Sequence, residues 1–370
     1  MFFLLLPILT LLFCGAFFLG GIWLSATIIL IWVIAIPVDE IVGDDWERYK
    51  GRKGVFLSLI LYAQLPTLIL GTFLAAYYVS DWTFLGSAIN EARDTSAPRQ
   101  TFMAFFTLGL FYGIAGINVA HELIHRNSKV AVNVGRWLLS FSFDTGFALE
   151  HVYGHHLHVG MPSDPATARR GQNFWPFLGG MIWRANKNAW DIEKRFLTKR
   201  GQRVWSLKNR FITGQLMSLT WVVLFAIAGG WRGVLVFLAM AFAGKLYLEM
   251  TNYIEHYGLV RAEGTRVDGR HSWNSGRKLT NFMLFNLPRH SDHHVKPGKP
   301  YWELDSRKDA PQLPYGYFIM AVLATIPPLF HRVMQPYLES WDRDFASPEE
   351  RAIIAASGWK PRQQASAPQT

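Results

Sequence analysis

The sequence is poor in cysteine, in charge and in strand-forming patterns, and each shortage excludes a class of protein. Cys14 is the only cysteine among 370 residues, so the chain can form no internal disulfide and no cysteine-ligated iron–sulfur centre. It also has no glycine-rich nucleotide-binding motif, so a reaction that needs electrons must receive them from another protein or domain. Charged residues make up 17% of the chain, below the ~25% of soluble domains. Because strand patterns are sparse, we expect an all-α fold.

Hydrophobic sequence is what the chain has in excess. Half of its residues are hydrophobic, and a helix of ~20 apolar residues is long enough to cross a bilayer. Six transmembrane helices are predicted, at about 1–19, 21–38, 55–79, 101–119, 214–229 and 233–251. The first two follow each other across a Gly-Gly break and the last two flank Trp231-Arg232, so each pair is expected to form a tight hairpin. The first segment lacks a basic n-region and a second span follows at once, so we expect a span rather than a secretory signal.

The distribution of basic residues predicts the orientation of these spans. Loop 39–54 contains four Lys and Arg residues and the segment 120–213 is strongly basic, whereas loop 80–100 contains only Arg93 and Arg99. Because Lys and Arg near spans favour the cytoplasmic side, we expect loop 39–54, the region after the fourth span and both termini to be cytoplasmic.

This topology predicts one membrane domain, 1–345, with a cytoplasmic cap built from 120–213 and 252–345. A polar tail, 346–370, follows, and its last residues, 363–370, are expected to be disordered. The apolar segment 315–331 contains Pro327-Pro328 and comes after the histidine-rich region, so we expect it to be a helix that lies at the membrane interface.

Nine of the twelve histidines are concentrated in three short boxes and one isolated position, all just beyond hydrophobic segments. They are His121 and His125; His151, His155 and His156; His290, His293 and His294; and His256. Neutral imidazole is the commonest metal ligand in proteins, and one zinc ion takes three or four protein ligands. Nine clustered imidazoles are therefore too many for one ion and suit two.

The spacing within the boxes supports a site with two neighbouring metals. Histidines four residues apart share a face of a helix and can bind one ion. Such pairs are His121 with His125, His151 with His155, and His290 with His294. Adjacent histidines such as His155 and His156 are rotated by ~100° and aim at different points. The remaining histidines, His158, His271 and His331, lack a partner at ligand spacing and are not expected to bind metal.

Five carboxylates accompany the boxes, and the first box also matches a protease motif. A metal-bound imidazole usually donates its other N–H to a carboxylate or carbonyl, and we expect this role for Glu122, Glu150, Asp164, Glu255 and Asp292. The first box reads H-E-x-x-H, the zinc-protease pattern. A zinc protease needs only one ligand besides His121 and His125, whereas seven further histidines are clustered here, so a protease would leave the other boxes unexplained.

The boxes and the segments between them resemble the integral-membrane non-haem di-iron family of alkane 1-monooxygenases, xylene monooxygenases and fatty-acid desaturases. The alkane 1-monooxygenase branch is the most similar, and the matching segments run in order over about 120–335. They are HELIHR (121–126), EHVYGHH (150–156), PSDPATARRGQNFW (162–175), NYIEHYGL (252–259), HSWNS (271–275), NLPRHSDHH (286–294) and LPYGY (313–317). Pro288 stands where Gln is common in the family, and the polar lead usual before the first span is absent.

The resemblance implies two iron ions held by the nine histidines, with O2 as co-substrate. Electrons would come from rubredoxin and, through it, a rubredoxin reductase, and one oxygen atom would enter the terminal carbon of a medium-chain n-alkane. The expected location is the bacterial inner (cytoplasmic) membrane. A xylene-type methyl hydroxylase, a fatty-acyl desaturase and a non-catalytic metal-binding membrane protein remain alternatives.

An alkane has no polar group, so its binding must come from burial, at ~0.8 kcal/mol per CH2. The spans are therefore expected to form an apolar tunnel from the membrane lipid to the metals, and Trp32, in the middle of the second span, is our candidate for the residue that limits its length. The net charge of +10 suits anionic lipid and an acidic protein partner rather than nucleic acid, for which no reader motif appears. Candidate docking residues are Arg126, Lys129, Arg169, Arg170, Arg270 and Lys296.

Overall fold

The computed structural model describes residues 2–47 and 54–359, except the side chains of Ile31 and Trp32. Within these ranges the chain is built from helices, and its only strand-like pairings are two isolated bridges, Asp44 with Arg277 and Asn274 with Gln312. The expected all-α class is therefore confirmed. The basic residues of 48–53 and the expected disorder of 363–370 lie outside the described residues, as does the tunnel role assigned to the side chain of Trp32.

Three types of helix make up the described chain. The α-helices are Leu5–Leu19, Trp23–Ile28, Ile36–Val42, Gly54–Tyr62, Gln64–Tyr78, Ser87–Thr95, Pro98–Phe111, Asn118–Ile124, Lys129–Ser140, Phe147–Glu150, His156–His158, Phe174–Lys199, Arg210–His256, Lys278–Met283, His290–Val295, Tyr317–Ala324, Pro327–Asp344 and Pro348–Ala356. Segments with π-helical hydrogen bonds are Ile29–Ala35, Tyr112–Ile117 and His151–His155. Short 3-10 turns are Phe2–Leu4, Gly269–His271 and Tyr301–Glu303.

Five helical stretches of the described chain are long and apolar enough to cross a membrane. They are Phe2–Leu19, Trp23–Val42, Gly54–Tyr78, Pro98–Ile124 and Arg210–His256. The first four coincide with the first four predicted spans. The fifth is 47 residues long and contains both of the last two predicted spans.

The long helix Arg210–His256 turns back on itself. Gly229 and Gly230 have non-helical backbone angles, and Gly230 lies in the left-handed region at φ 58°. The rings of Phe225 and Phe237, on either side of this turn, are 5.4 Å apart. The two arms therefore lie side by side as the expected hairpin, although the count of six membrane crossings remains a prediction.

Glycines also allow other close approaches between helices. Gly20, at φ 64°, ends the first helix, and a Cβ there would lie 2.6 Å from the carbonyl oxygen of Ala92. A Cβ on Gly109 would lie 2.7 Å from the carbonyl of Met240. Small residues are what membrane helices use for such contacts, and the contact at Gly109 packs the helix that leads to the first box against the long helix.

The C-terminal part differs from expectation in two ways. The segment 315–331 is not one helix: Tyr317–Ala324 ends before Pro327, which begins a second helix, Pro327–Asp344, because proline suits the first turn of a helix and not its interior. The expected polar tail also begins with an ordered helix, Pro348–Ala356, in which Glu350 and Ile354 are buried. Its start is fixed by a capping box between Ser347 and Glu350.

Candidate metal centre

The nine box histidines converge in space and divide into two clusters. The first cluster consists of His121, His125, His151, His156 and His293, and the second of His155, His256, His290 and His294. In each cluster one nitrogen per ring lies within 4.8 Å of the others. The clusters are adjacent, because the ring centroids of His156 and His294 are 4.5 Å apart.

A π-helical turn decides how the second box is shared between the clusters. The backbone N–H of His156 donates to the carbonyl of His151, five residues earlier. Residues five apart therefore lie above one another, as is usual in a π-turn. His156 joins His151 in the first cluster, and His155 points to the second. Our expectation that His151 and His155 share an ion, which assumed an α-helix, is wrong.

The first and third boxes follow α-helical spacing. His121 lies on the helix Asn118–Ile124 and His125 directly after it, and both face the first cluster. On the helix His290–Val295, His290 and His294 face the second cluster, whereas His293 joins the first. His121 therefore shares a helix face with His125, and His290 shares one with His294, as their spacing predicts.

Nitrogen atoms in the clusters approach as closely as ligands of one ion. The Nε2 atom of His156 lies 3.0 Å from that of His151 and 3.1 Å from that of His293. In the second cluster, the Nε2 atoms of His290 and His294 are 3.0 Å apart. Two nitrogens bound at ~2.1 Å and at right angles around one ion would lie ~3.0 Å apart, so the spacing fits a metal.

Other ring nitrogens point into the clusters without any partner among the described residues. They are the buried Nε2 atoms of His121, His125, His155 and His256. Burial lowers the pKa of His125 to about 3 and lowers those of His151 and His293 well below the ordinary value. His125, His151 and His293 are therefore neutral at pH 7 and have a lone pair for a cation, which neutral imidazole is suited to bind.

Two of the unpartnered rings are oriented through their other nitrogen. His155 Nδ1 donates to Asp164 Oδ2 at 3.0 Å, and both side chains are almost fully buried. His256 Nδ1 donates to the backbone carbonyl of His271 at 3.1 Å. A proton on Nδ1 leaves Nε2 as the free ligand atom, which is how outer hydrogen bonds orient metal-bound imidazoles.

Sequence comparisons assign this chain to a family. A model of the fatty acid desaturase family matches residues 99–324. Alkane 1-monooxygenase 1 of Pseudomonas aeruginosa is 42% identical over 260 residues, which are 69% of this chain and 67% of that protein. The chain belongs to the alkane monooxygenase family.

Other relatives extend the match. Alkane 1-monooxygenase 2 of Alcanivorax borkumensis is 42% identical over 240 residues, which are 64% of this chain and 63% of that protein, a little under two thirds of its length. The xylene/toluene monooxygenase hydroxylase component of Pseudomonas putida is 30% identical over 362 residues, 96% of this chain and 94% of that protein. Together, membership in this oxidoreductase family and the paired clusters indicate a metal centre.

The acids expected around the centre have different surroundings. Asp164 orients His155 as expected. Glu255 Oε2 lies 3.1 Å from His290 Nε2, the nitrogen that also approaches His294, and not from Nδ1, so Glu255 does not take the outer position expected of it. Glu150 is buried, and burial, followed by the charge of Asp164, raises its pKa above the ordinary value. Glu122 pairs instead with Arg126.

Asp292 also makes contacts different from those expected of it. It pairs with Lys299 and Arg307 and accepts from the backbone N–H of Asp305, so these contacts anchor the loop after the third box.

The three histidines that were not expected to bind metal, His158, His271 and His331, lie outside both clusters. His158 Nδ1 bonds the carbonyl of Gly154 at 2.8 Å, and His331 lies beside the ring of Tyr257. His271 is fully buried and supports His256 through its backbone. Spacing could not reveal this contribution, because the contact uses a main-chain oxygen 15 residues away.

Proposed function

We propose that this protein is a membrane di-iron monooxygenase that hydroxylates the terminal carbon of medium-chain n-alkanes. The observation that carries the proposal is the pair of adjacent, buried histidine clusters, whose free nitrogens are oriented for two metal ions. One oxygen atom of O2 enters the C–H bond to give the alcohol, and the other leaves as water with two electrons and two protons. The names of the relatives support alkane as the substrate class.

The clusters would each hold one iron, and iron would supply the redox chemistry that zinc lacks. The π-turn at the second box assigns His151 and His156 to the cluster of five and His155 to the cluster of four. Asp164 and the carbonyl of His271 keep the Nε2 atoms of His155 and His256 unprotonated and directed inward. The protein thus contributes fixed ring orientation and a water-poor, buried setting.

Two small cavities, one at the clusters and one among membrane-side segments, support a lipid-dissolved substrate. One small cavity, of about 20 Å³, touches His121, His151 and His290. A second, of about 40 Å³, is lined by apolar residues of three membrane-side segments, 110–114, 243–254 and 317–321, together with Leu284. Tyr247 and Thr251 line both cavities. Each cavity is about the size of a single water, so an alkane can enter only when side chains between them move.

Tyr247 is the larger of the two shared residues, and we expect Tyr247→Ala to lengthen the accepted alkane. Its ring packs so tightly on Gly113 that a Cβ there would lie 2.6 Å from Cδ1 of the tyrosine. Loss of the ring should join the two cavities. The measurement is relative turnover across alkane lengths, with Tyr247→Phe as the control that keeps the ring and the wild-type profile. An unchanged length profile in Tyr247→Ala would exclude Tyr247 as the residue that limits alkane length. Trp32→Ser, measured on the same substrates, tests the candidate named from the sequence.

Rubredoxin, which receives its electrons from a rubredoxin reductase, is the electron donor in this proposal. Of the six basic docking candidates, three form internal ion pairs: Arg126 with Glu122, Arg170 with Asp342 and Arg270 with Glu350. The other three, Lys129, Arg169 and Lys296, are exposed. These three are therefore the cationic groups best able to meet an acidic partner.

Charge reversal should test this docking surface. We expect Arg169→Glu combined with Lys296→Glu to raise the apparent KM for rubredoxin several-fold without changing iron content. Turnover with limiting rubredoxin should fall as salt rises, since the Debye length shortens to ~8 Å near 0.15 M. Arg99→Glu, exposed in the loop predicted on the opposite side of the membrane, is the matched control. Insensitivity to both salt and charge reversal would place docking elsewhere.

Substrate competition separates the proposal from its alternatives. A xylene-type methyl hydroxylase is the second candidate, because the xylene/toluene relative matches 96% of the chain; a fatty-acyl desaturase is the third, because of the matching family model. Purified protein with rubredoxin, reductase and NADH should be given octane, xylene and an acyl thioester. We expect 1-octanol as the main product. Preferential oxidation of xylene, or a double bond in the acyl chain, would support the corresponding alternative.

A further inference from the structure

The segment 268–273, which follows His256 in the chain, wraps around the end of the long helix Arg210–His256. Trp273 donates its backbone N–H to the carbonyl of Glu255 at 2.9 Å and its indole N–H to the carbonyl of Tyr257 at 2.9 Å. Between these contacts, the carbonyl of His271 accepts from Nδ1 of His256 at 3.1 Å. The position of this segment therefore sets the orientation of the His256 ring.

His271 is itself held by both ring nitrogens. Its Nδ1 accepts from the backbone N–H of Asp268 at 3.1 Å, which leaves Nε2 as the donor. Nε2 donates to Glu350 Oε1 at 2.9 Å, and both side chains are completely buried. Because a buried donor without an acceptor is unfavourable, this bond fixes the ring.

Glu350 comes from a different part of the chain, the C-terminal helix Pro348–Ala356, beyond the residues 99–324 that match the family model. It accepts from Nε of Arg270 at 3.2 Å and completes the capping box with Ser347. The indole of Trp341 donates to the carbonyl of Arg270 at 2.7 Å. Two C-terminal helices thus hold the 268–273 segment in place.

We propose that Glu350 is a positioning residue of the metal centre, acting through His271 on His256. The inference rests on the proposed function, because it takes His256 as a metal ligand. Without the Glu350 carboxylate, the His271 ring loses its fixed orientation, and the backbone carbonyl of His271 is no longer held opposite His256 Nδ1. The His256 imidazole can then rotate away from the second cluster.

The test is metal binding by the full-length protein in detergent, with Co2+ alone as the probe. Glu350→Leu should weaken one of two Co2+ sites by ~10–100-fold, as outer hydrogen-bond partners of metal ligands do. The ligand-field absorption of that site should also change. Glu350→Gln keeps an oxygen that accepts from His271 Nε2 and should restore both affinity and spectrum. Glu349→Leu, at the exposed neighbouring position, is the matched control.

The outcomes are distinguishable. Two wild-type sites and an unaltered Glu350→Leu protein would overturn the positioning role, whereas a wild-type protein that binds no Co2+ or iron would overturn the proposed metal centre itself. If Glu350→Leu does not fold, His271→Leu removes the same link and leaves Glu350 paired with Arg270. It should weaken the same single site, and wild-type affinity in that variant would equally contradict the proposal.

Discussion

Replacing His156 with alanine should lower alkane hydroxylation by more than about 100-fold and remove iron from the first cluster. Outer-sphere changes already cost 10–100-fold, and this change removes a proposed ligand nitrogen, which lies within 3.1 Å of both His151 and His293 nitrogens. The measurements are turnover with octane and iron content per chain. His158→Ala is the control, because His158 lies two residues away and bonds only the carbonyl of Gly154 among the described contacts.

The same experiment can test how the second box is divided. We expect His151→Ala and His156→Ala to alter the same iron signal, and His155→Ala to alter the other, because the π-turn directs them to different clusters. If His151→Ala and His155→Ala changed one signal in common, the ordinary α-helical pairing would be correct. Full activity of His156→Ala would remove it from the ligand set.

The second large effect concerns stability. Lys245→Met should lower the free energy of unfolding by about 3–5 kcal/mol, because it leaves two buried carboxylates without their cation. Lys245 Nζ lies 2.6 Å from both Asp144 and Glu249, and all three side chains are at most 10% exposed. Ionisable groups within a membrane helix normally face such partners.

Unfolding in detergent micelles would measure this effect. The triple variant Asp144→Asn, Lys245→Met and Glu249→Gln should recover much of the loss, since removing every charge avoids an unpaired ion. Lys187→Met is the control: its pair with Asp191 lies on the surface, at 61% and 36% exposure, where ion pairs contribute ~1 kcal/mol or less. Wild-type stability of Lys245→Met would show that the triad is not a stabilising network.

Local sequence patterns are sufficient for the membrane-length helices and for the members of the clusters. The Gly-Gly break predicts the first hairpin, whereas the second, predicted around Trp231-Arg232, turns at Gly229 and Gly230. Histidine spacing predicts which residues converge. The pairing of His151 with His156 was not accessible, because a π-turn depends on one extra residue per turn that packing must stabilise. The sequence does carry a signal for the C-terminal helix, because Ser-Pro-Glu-Glu at 347–350 matches a capping box despite the polarity of the tail.

Contacts between distant segments explain the remaining differences. The contact between Asp164 and His155 is predictable from the sequence because the two residues are only nine positions apart in the chain. Asp292 was expected to bind an imidazole, but it lies beside Lys299, Arg307 and the backbone of Asp305, which no local pattern reveals. The support of His256 by His271, and of His271 by Glu350, joins residues 15 and 79 apart. Such contacts depend on tertiary packing, and periodicity within one helix carries no information about them.

The central claim, O2-dependent terminal hydroxylation at a di-iron centre, is tested most directly by product analysis under isotopically labelled O2. Purified protein containing its native metal would be supplied with rubredoxin, its reductase, NADH and octane. The proposal predicts about two irons per chain and 1-octanol that carries one labelled oxygen atom, with no product when rubredoxin is omitted. Unlabelled alcohol, product without iron, or oxidation of NADH by the purified chain alone would contradict it.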